Sequence, residues 1–168
     1  ISSVNQLPPA THDGGLTIGA AQYMWHNVLD NPRIEWKDNF TPYLGRKYSL
    51  EEVNRSIVDR SDELTITRDS SDDDVIDSLF NQEIVSVFGG GSESGKRALG
   101  NRSILADPRS PTMKDTINEK VKHRQWFRPF APSILREEVG NWFTEDIDSP
   151  YMSFVLKFNK DKAKEVPA

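Results

Sequence analysis

Helices with an apolar stripe alternate with short β-branched runs along this chain, which predicts an α/β fold or, in a segregated arrangement, α+β. Three observations carry the prediction. Apolar residues recur at spacings of three and four after residue 15 and again after residue 112. Serines at 49 and at 70–71 precede acidic residues in the pattern of helix starts. Ile84-Val-Ser-Val-Phe88 reads as a buried strand running directly into three glycines at 89–91.

The elements follow in order. A short apolar stretch, Val4 to Leu7, and Pro8-Pro9 precede His12-Asp13-Gly14-Gly15, which leads into a helix from Leu16. Ile18, Ala21, Met24, Trp25 and Val28 form its apolar face. Residues 30–48 are rich in Asn, Pro and charge and read as a linker. Ser49-Leu50-Glu51-Glu52 is a capping box, with Val53 and Ile57 behind it. Leu64 to Arg68 alternates like a strand. Ser70 and Ser71 cap a helix whose Asp72-Asp73-Asp74 meets the positive end of the helix dipole. Val75, Ile76, Leu79 and Phe80 supply its buried face. After the strand at 84–88, another short strand holds Ser103 to Leu105. Ser110-Pro111 starts a helix, since proline at the first position lacks only an N–H that would be unpaired anyway. Met113, Ile117 and Val121 line one side of it and deliver Lys122 and Arg124 at its end. A last strand is expected from Tyr151 to Phe158. There is no internal repeat and no low-complexity tract.

Composition narrows the class. With 168 residues, 36% hydrophobic and 28% charged, the chain reads as one medium soluble domain, or one domain and a piece of another. No apolar run approaches a membrane span, and Ile-Ser-Ser-Val is neither a signal peptide nor a natural start, so the chain reads as cut into from the left. The absence of cysteine excludes disulfides, thiolate catalysis and Cys-ligated zinc, and fits a cytoplasmic protein. A net charge of −5 and a pI near 5.2 argue against general nucleic-acid binding. Charge is unevenly spread, however. Lys96 to Arg136 holds ten Lys/Arg against three Asp/Glu, whereas residues 1–95 hold 7 against 16.

Glycines lie among those cations. A nucleotide or acyl phosphate needs such a combination, because Arg offers forked donors, Lys a point charge, and bare glycine backbone close N–H groups. Gly90-Gly-Ser-Glu-Ser-Gly95-Lys96 matches the first seven positions of a Walker A loop. Arg97 replaces the Ser or Thr that would hold Mg²⁺, and Glu93 would place a carboxylate among phosphates, so that reading is rejected. Arg97, Asn101, Arg102 and Ser103, beside Gly95 and Gly100, form a tighter anion-binding proposition, with Glu93 orienting an arginine. The competing account is a surface turn with its arginines paired to Glu93 and Asp107. Lys122, Arg124 and Arg128 stand at a helix end, where cations also favour the C-terminal dipole. His123 reads as exposed, and no histidine pair has metal-ligand spacing. Asp13 fits a helix cap or a ligand-facing carboxylate. The four tryptophans, 25, 36, 126 and 142, read as packing residues.

The block Glu93-x-Gly95-x-Arg97-Ala-Leu-Gly-Asn-Arg-Ser-Ile-Leu-Ala-Asp-Pro-Arg109, followed by Val121-Lys-x-Arg124 and Phe127-Arg-Pro-Phe-Ala-Pro-Ser133, closely resembles the carbamoyltransferase family. That family includes NodU-type nodulation proteins and the O-carbamoyltransferases of antibiotic biosynthesis. Pro8-Pro-Ala-x-x-Asp13-x-Gly15-x-x-x-Gly-Ala-Ala21 resembles the end of the family's first domain, and Tyr43-Leu-Gly45 with the capping box fits the usual junction. The resemblance implies an actin-like ASKHA domain ending within residues 1–40, linker included, and a YrdC-like twisted-sheet domain beginning at 41 and continuing through 168. The first would hold a transition metal, with iron expected, and transfer the carbamoyl group to a hydroxyl of a small-molecule acceptor. The second would make carbamoyl-adenylate from carbamoyl phosphate and ATP with Mg²⁺. Asp13 matches the aspartate that closes the metal site, and Lys122-x-Arg124 with Arg128-Pro129 resembles the pattern lining the nucleotide and acyl site.

Three departures stand out. Lys96 lies where the family usually has Pro, the upstream HxxxH metal motif is absent, and the chain stops at Val166-Pro-Ala168 where a further Thr-His-x-Asp-Gly-Thr-like segment is expected. The sequence therefore reads as part of an O-carbamoyltransferase. Lys122 and Arg124 are the expected catalytic residues. Arg97, Asn101, Arg102, Ser103 and Arg128 are expected to bind nucleotide and carbamoyl phosphate, with backbone access at Gly14 and Gly15, and Asp13 to bind the metal. The alternatives are a non-catalytic nucleotide- or acyl-phosphate-binding module and a YrdC-like RNA-binding domain, the latter disfavoured by the acidic charge. No membrane or nucleic-acid partner is expected, and the oligomeric state is left open.

Overall fold

The computed structural model describes residue 10, residues 12–33 and residues 41–168. The readings at Val4–Leu7, Pro8-Pro9, the 34–40 part of the linker and Trp36 lie outside the described residues. Two compact units emerge, Ile1–Thr65 with Val87–Ser103, and Ile66–Ser86 with Ile104–Ala168.

In the first unit, helix α1 spans Gly15–Tyr23 and continues as a π turn over Met24–Val28, closed by the Leu29 N–H on the Met24 carbonyl at 2.9 Å. The helix lies where the sequence places it, but its expected apolar face is not buried. Leu16, Met24, Trp25 and Val28 are all exposed. Apolar residues encircle α1, so no single stripe is set apart for packing. Helix α2, Leu50–Asp59, begins at the expected capping box: Ser49 Oγ accepts the Glu52 N–H at 3.2 Å and Glu52 Oε2 accepts the Ser49 N–H at 2.9 Å. Val53 and Ile57 on α2 face Tyr48, Leu64 and Phe88 across an open groove of about 540 Å³.

In the second unit, helix α3 spans Asp72–Phe80. Ser71 is the cap, with Asp74 completing a reciprocal pair: Ser71 Oγ accepts the Asp74 N–H at 3.3 Å, and Asp74 Oδ2 accepts the Ser71 N–H at 2.6 Å. Val75 and Leu79 are half-buried, whereas Ile76 and Phe80 remain exposed. The Phe80 ring instead supports the guanidinium of Arg109, 4.1 Å from its centroid.

Strands β1, Val85–Phe88, and β2, Arg102–Leu105, pair as a two-stranded sheet. Burial alternates along β1, so this strand is half-buried and not continuously buried as its sequence suggests. Helix α4, Met113–Thr116, runs into a π turn over Ile117–Val121 closed by the Lys122 N–H on the Ile117 carbonyl at 2.8 Å. Met113 and Ile117 are buried as expected, but the wider turn rotates Val121 outward and brings Asn118 inward. Helix α5, Val139–Trp142, follows a 3₁₀ turn, Arg136–Glu138, and a last 3₁₀ turn covers Lys162–Lys164. Val139 and Phe143 complete the buried apolar set, with the Phe143 and Phe158 rings 4.7 Å apart.

Two expected strands do not form. Leu64 to Arg68 joins no ladder, and of Tyr151 to Phe158 only Phe158 forms a β-bridge, to Phe143. Alternation defines two faces, but a strand also needs a neighbour to take up its N–H and C=O groups. Val155 is fully exposed. The result is a small mixed α/β arrangement. No helix among the described residues is long and apolar enough to cross a membrane.

Candidate functional site

The loop joining β1 to β2 carries the densest polar network. Gly89 donates to the Asn101 carbonyl at 3.1 Å, and Gly91 bridges Lys47. A Cβ at Gly91 would stand 2.7 Å from the Tyr43 carbonyl oxygen, so only glycine fits there. Gly100, at φ +117°, closes the far side, and Tyr43 donates its hydroxyl to the Leu99 carbonyl at 2.7 Å.

Glu93 anchors this loop, by a means the sequence did not disclose. Instead of orienting an arginine, its Oε1 accepts three backbone N–H groups, from Leu99 at 2.7 Å, Asn101 at 2.9 Å and Arg102 at 3.2 Å. Burial alone would push this carboxyl up, but the backbone donors outweigh it and hold it below its ordinary 4.5.

The same loop uses most of the predicted anion-binding side chains internally. Asn101 Nδ2 donates to the Gly91 carbonyl at 2.8 Å, and Ser103 Oγ accepts the Gly100 N–H at 2.9 Å. Arg102 directs Nη1 to the Gly89 and Asn101 carbonyls and Nη2 to those of Arg46 and Gly90, and it stacks on Phe88 at 3.8 Å. Arg97 differs. It and Lys96 are exposed and have no side-chain partner among the described residues. The turn at 96–101 leads to β2 and not to a helix, in keeping with rejection of a Walker cradle.

Residues 12–15 belong to the same unit. Gly14 is the N-cap position of α1 and receives no side-chain cap, so Asp13 does not act as the cap. Asp13 is exposed. The Gly14 N–H donates to His12 Nδ1 at 3.0 Å and the Gly15 N–H to the His12 carbonyl at 2.8 Å, which engages both predicted backbone donors. No group of three or more His, Cys, Asp or Glu among the described residues could hold a metal ion. Asp13 is therefore not by itself a metal centre, and no chemical step is assigned to a metal here.

The second unit holds the other predicted cations, arranged around Asn118. This side chain is 1% exposed. Its Nδ2 donates to the Trp126 and Arg128 carbonyls at 3.2 and 3.0 Å, and its Oδ1 accepts Arg124 Nε at 2.7 Å. Arg124 also lies 4.6 Å over the Phe130 ring and donates to the Pro129 carbonyl at 3.4 Å. Lys122, the C-cap, and Arg128 are exposed and have no side-chain partner among the described residues. His123 is exposed as expected, at φ +46°. Trp126 is no packing residue: with its backbone held by Asn118, the indole is 71% exposed, and Lys114 Nζ stands 5.7 Å from its centroid. It borders a shallow cavity of about 440 Å³ shared with Asn118, Arg124 and the carboxylates of Asp115 and Glu119. Sequence periodicity passed over Asn118 because it counts apolar positions only.

Residues 76–168, more than half the chain, match the family described as carbamoyltransferase C-terminus, and the chain belongs to that family. It is similar to an uncharacterized protein of Synechocystis, 40% identical over 160 residues, covering 92% of this chain and 26% of that protein. The nodulation protein NolNO of Sinorhizobium fredii is 37% identical over 163 residues, covering 93% of this chain and 23% of that protein. The 3'-hydroxymethylcephem-O-carbamoyltransferase of Amycolatopsis lactamdurans is 32% identical over 148 residues, covering 88% and 26%. The chain thus spans about a quarter of the length of the curated relatives it matches.

Proposed function

We propose that this chain is part of a cytoplasmic O-carbamoyltransferase that activates carbamoyl phosphate with ATP as carbamoyl-adenylate and passes the carbamoyl group to a hydroxyl of a small-molecule acceptor. The family match over residues 76–168 carries the reading. The relative from Amycolatopsis, whose name states O-carbamoyl transfer, supports the reaction class. In this reading residues 1–40 end the metal-bearing ASKHA domain, which Asp13 serves together with ligands elsewhere in the longer protein, and 41–168 begin the YrdC-like domain.

The geometry supports a division of labour. Arg97, exposed beside Lys96 and without a side-chain partner among the described residues, supplies positive charge to phosphoryl or carbamoyl oxygens as pyrophosphate departs, with Mg²⁺ accompanying ATP as substrate. Asn101, Arg102 and Ser103 act by holding the loop that presents Arg97, since a side-chain group of each is engaged within it. Gly14 and Gly15 keep the Asp13 turn compact. In the second unit Lys122 and Arg128 are exposed cations without a side-chain partner among the described residues, and Arg124 presents a guanidinium oriented by Asn118 and Phe130.

Pyrophosphate release from ATP and carbamoyl phosphate tests this in the full-length protein. Arg97→Ala and Arg124→Ala should each lower the rate by about 2–4 kcal/mol in transition-state stabilisation while the fold survives. Near-unchanged rates in both would reduce these cations to a solvated face and remove the adenylation reading. Asp13→Ala should lower metal retention and transfer but spare adenylation.

A further inference from the structure

We infer that Tyr43 is a positioning residue for the proposed adenylation: with Pro42 it clamps both ends of the turn that carries Lys96 and Arg97, and so sets where the Arg97 charge stands. This rests on the anion-binding reading of that turn given above. The segment from Pro42 to Lys47 runs antiparallel beside residues 91–94. The Ser94 N–H donates to the Pro42 carbonyl at 2.6 Å, the Gly45 N–H to the Ser92 carbonyl at 2.9 Å and the Ser92 N–H to the Arg46 carbonyl at 3.2 Å, while Lys47 bridges Gly91. These contacts hold the incoming arm of the turn. A side chain of the same segment reaches the outgoing arm, where the Tyr43 hydroxyl donates to the Leu99 carbonyl at 2.7 Å.

Two consecutive residues thus pin positions 94 and 99 on either side of the cations. Leu99 is held twice, because its N–H donates to Glu93 Oε1 at 2.7 Å. Burial follows the same division: Ser94, Gly95 and Leu99 are half-buried, and Lys96, Arg97 and Ala98 are exposed between them. Neither cation has a side-chain partner among the described residues, so the pinned ends are what place their backbone. A turn fixed at both ends confines the charge on its crest, and charge already in place needs little reorganisation as a ligand's own charge develops. The Tyr43–Leu99 bond is neutral and solvent-exposed, so removing it loosens one arm and leaves the backbone pairing and the Glu93 anchor standing.

The test is made on the full-length protein with Tyr43→Phe, which keeps the ring and removes only the hydroxyl. Its kcat/KM for carbamoyl phosphate, read as pyrophosphate release with ATP, should fall about fivefold, the effect of one neutral hydrogen bond. Amide exchange at Leu99, Asn101 and Arg102 should quicken by about the same factor, with exchange along α2 unchanged. The deciding measurement repeats Tyr43→Phe in the Arg97→Ala background. If Tyr43 acts by placing Arg97, little remains to be lost there, and the double variant should stay within about twofold of Arg97→Ala alone. Equal loss in both backgrounds would overturn the positioning role and leave Tyr43 as a structural tyrosine, because general loosening does not depend on Arg97. A wild-type rate in Tyr43→Phe alongside a lowered rate in Arg97→Ala would also overturn it, with the anion reading of the turn intact. A wild-type rate in Arg97→Ala would overturn that anion reading, and the absence of pyrophosphate release from the unaltered protein would overturn both.

Discussion

Replacing Glu93 should loosen the β1–β2 loop before it affects anything else. One oxygen, Oε1, receives the N–H groups of Leu99, Asn101 and Arg102. A hydrogen bond to a charged group contributes about 1.5–3 kcal/mol net, but three donors on one oxygen do not add fully, so Glu93→Ala should cost about 2–4 kcal/mol. Glu93→Gln retains a neutral acceptor of the same reach and should cost about half of that. Amide hydrogen exchange across residues 93–103 reads the effect directly, at tenfold in protection for about 1.4 kcal/mol of local opening. The acid dependence follows from the same contacts. Because the folded carboxyl is held below its ordinary 4.5, its contribution is complete above that pH and is lost as pH falls through the lower folded value. Protection of this segment, corrected for intrinsic exchange, should therefore decline with acid in the wild type and be flat in Glu93→Gln. Unchanged protection in Glu93→Ala would refute the anchoring role. Unchanged protection with lost pyrophosphate release would move Glu93 from the loop to the ligand.

Asn118→Ala should destabilise the second unit by about 2–4 kcal/mol in denaturant unfolding, since it leaves two carbonyls and the Arg124 Nε–H without their partner. Asn118→Asp keeps the acceptor for Arg124 and loses both donors, so it should unfold at a lower denaturant concentration than wild type despite the added ion pair. Asp107→Asn should cost about 1–3 kcal/mol, because Arg109 and Gln82 converge on this buried carboxylate. Arg109 chiefly holds the Asp107 carboxyl below its ordinary 3.8, so that wild-type stability from this pair persists above that value and is lost in stronger acid, while Asp107→Asn should lack that acid-dependent fraction.

What the sequence disclosed about the fold was local in origin. The boxes at Ser49 and Ser71 formed because each needs only residues three positions apart. β1, β2 and the buried Met113 and Ile117 were likewise legible, as short apolar periodicities with a punctuating glycine or proline. The failures share a distant cause. Leu64–Arg68 and Tyr151–Phe158 have the alternation of strands, but their pairing depends on neighbours the local pattern does not name. Val121 left the apolar face because a π turn changed the angular step after Thr116, and no propensity of Ile117 or Asn118 announces that turn.

The candidate site was legible at the level of a segment and not of a side chain. Gly95 to Ser103 is rich in donors, and the fold uses some of them on the loop's own carbonyls and leaves others facing solvent, where the proposed ligand would bind. Arg97 and Arg102 are chemically the same and five positions apart, so composition assigns them one role. The fold separates them by which acceptors each can reach. Arg102, emerging where β2 begins, finds the carbonyls of Gly89, Gly90, Asn101 and Arg46 and the face of Phe88. Arg97, in the middle of the turn, has no described side-chain partner and keeps its fork for solvent or ligand. A preorganised anion site requires both kinds of arginine, because free cations on an unsupported glycine loop would lose in ordering entropy what they gain in charge. In the proposed site the three N–H groups gathered on Glu93 and the Arg102 fork supply that support, and Lys96 and Arg97, without a side-chain partner among the described residues, are the cations left to meet a ligand.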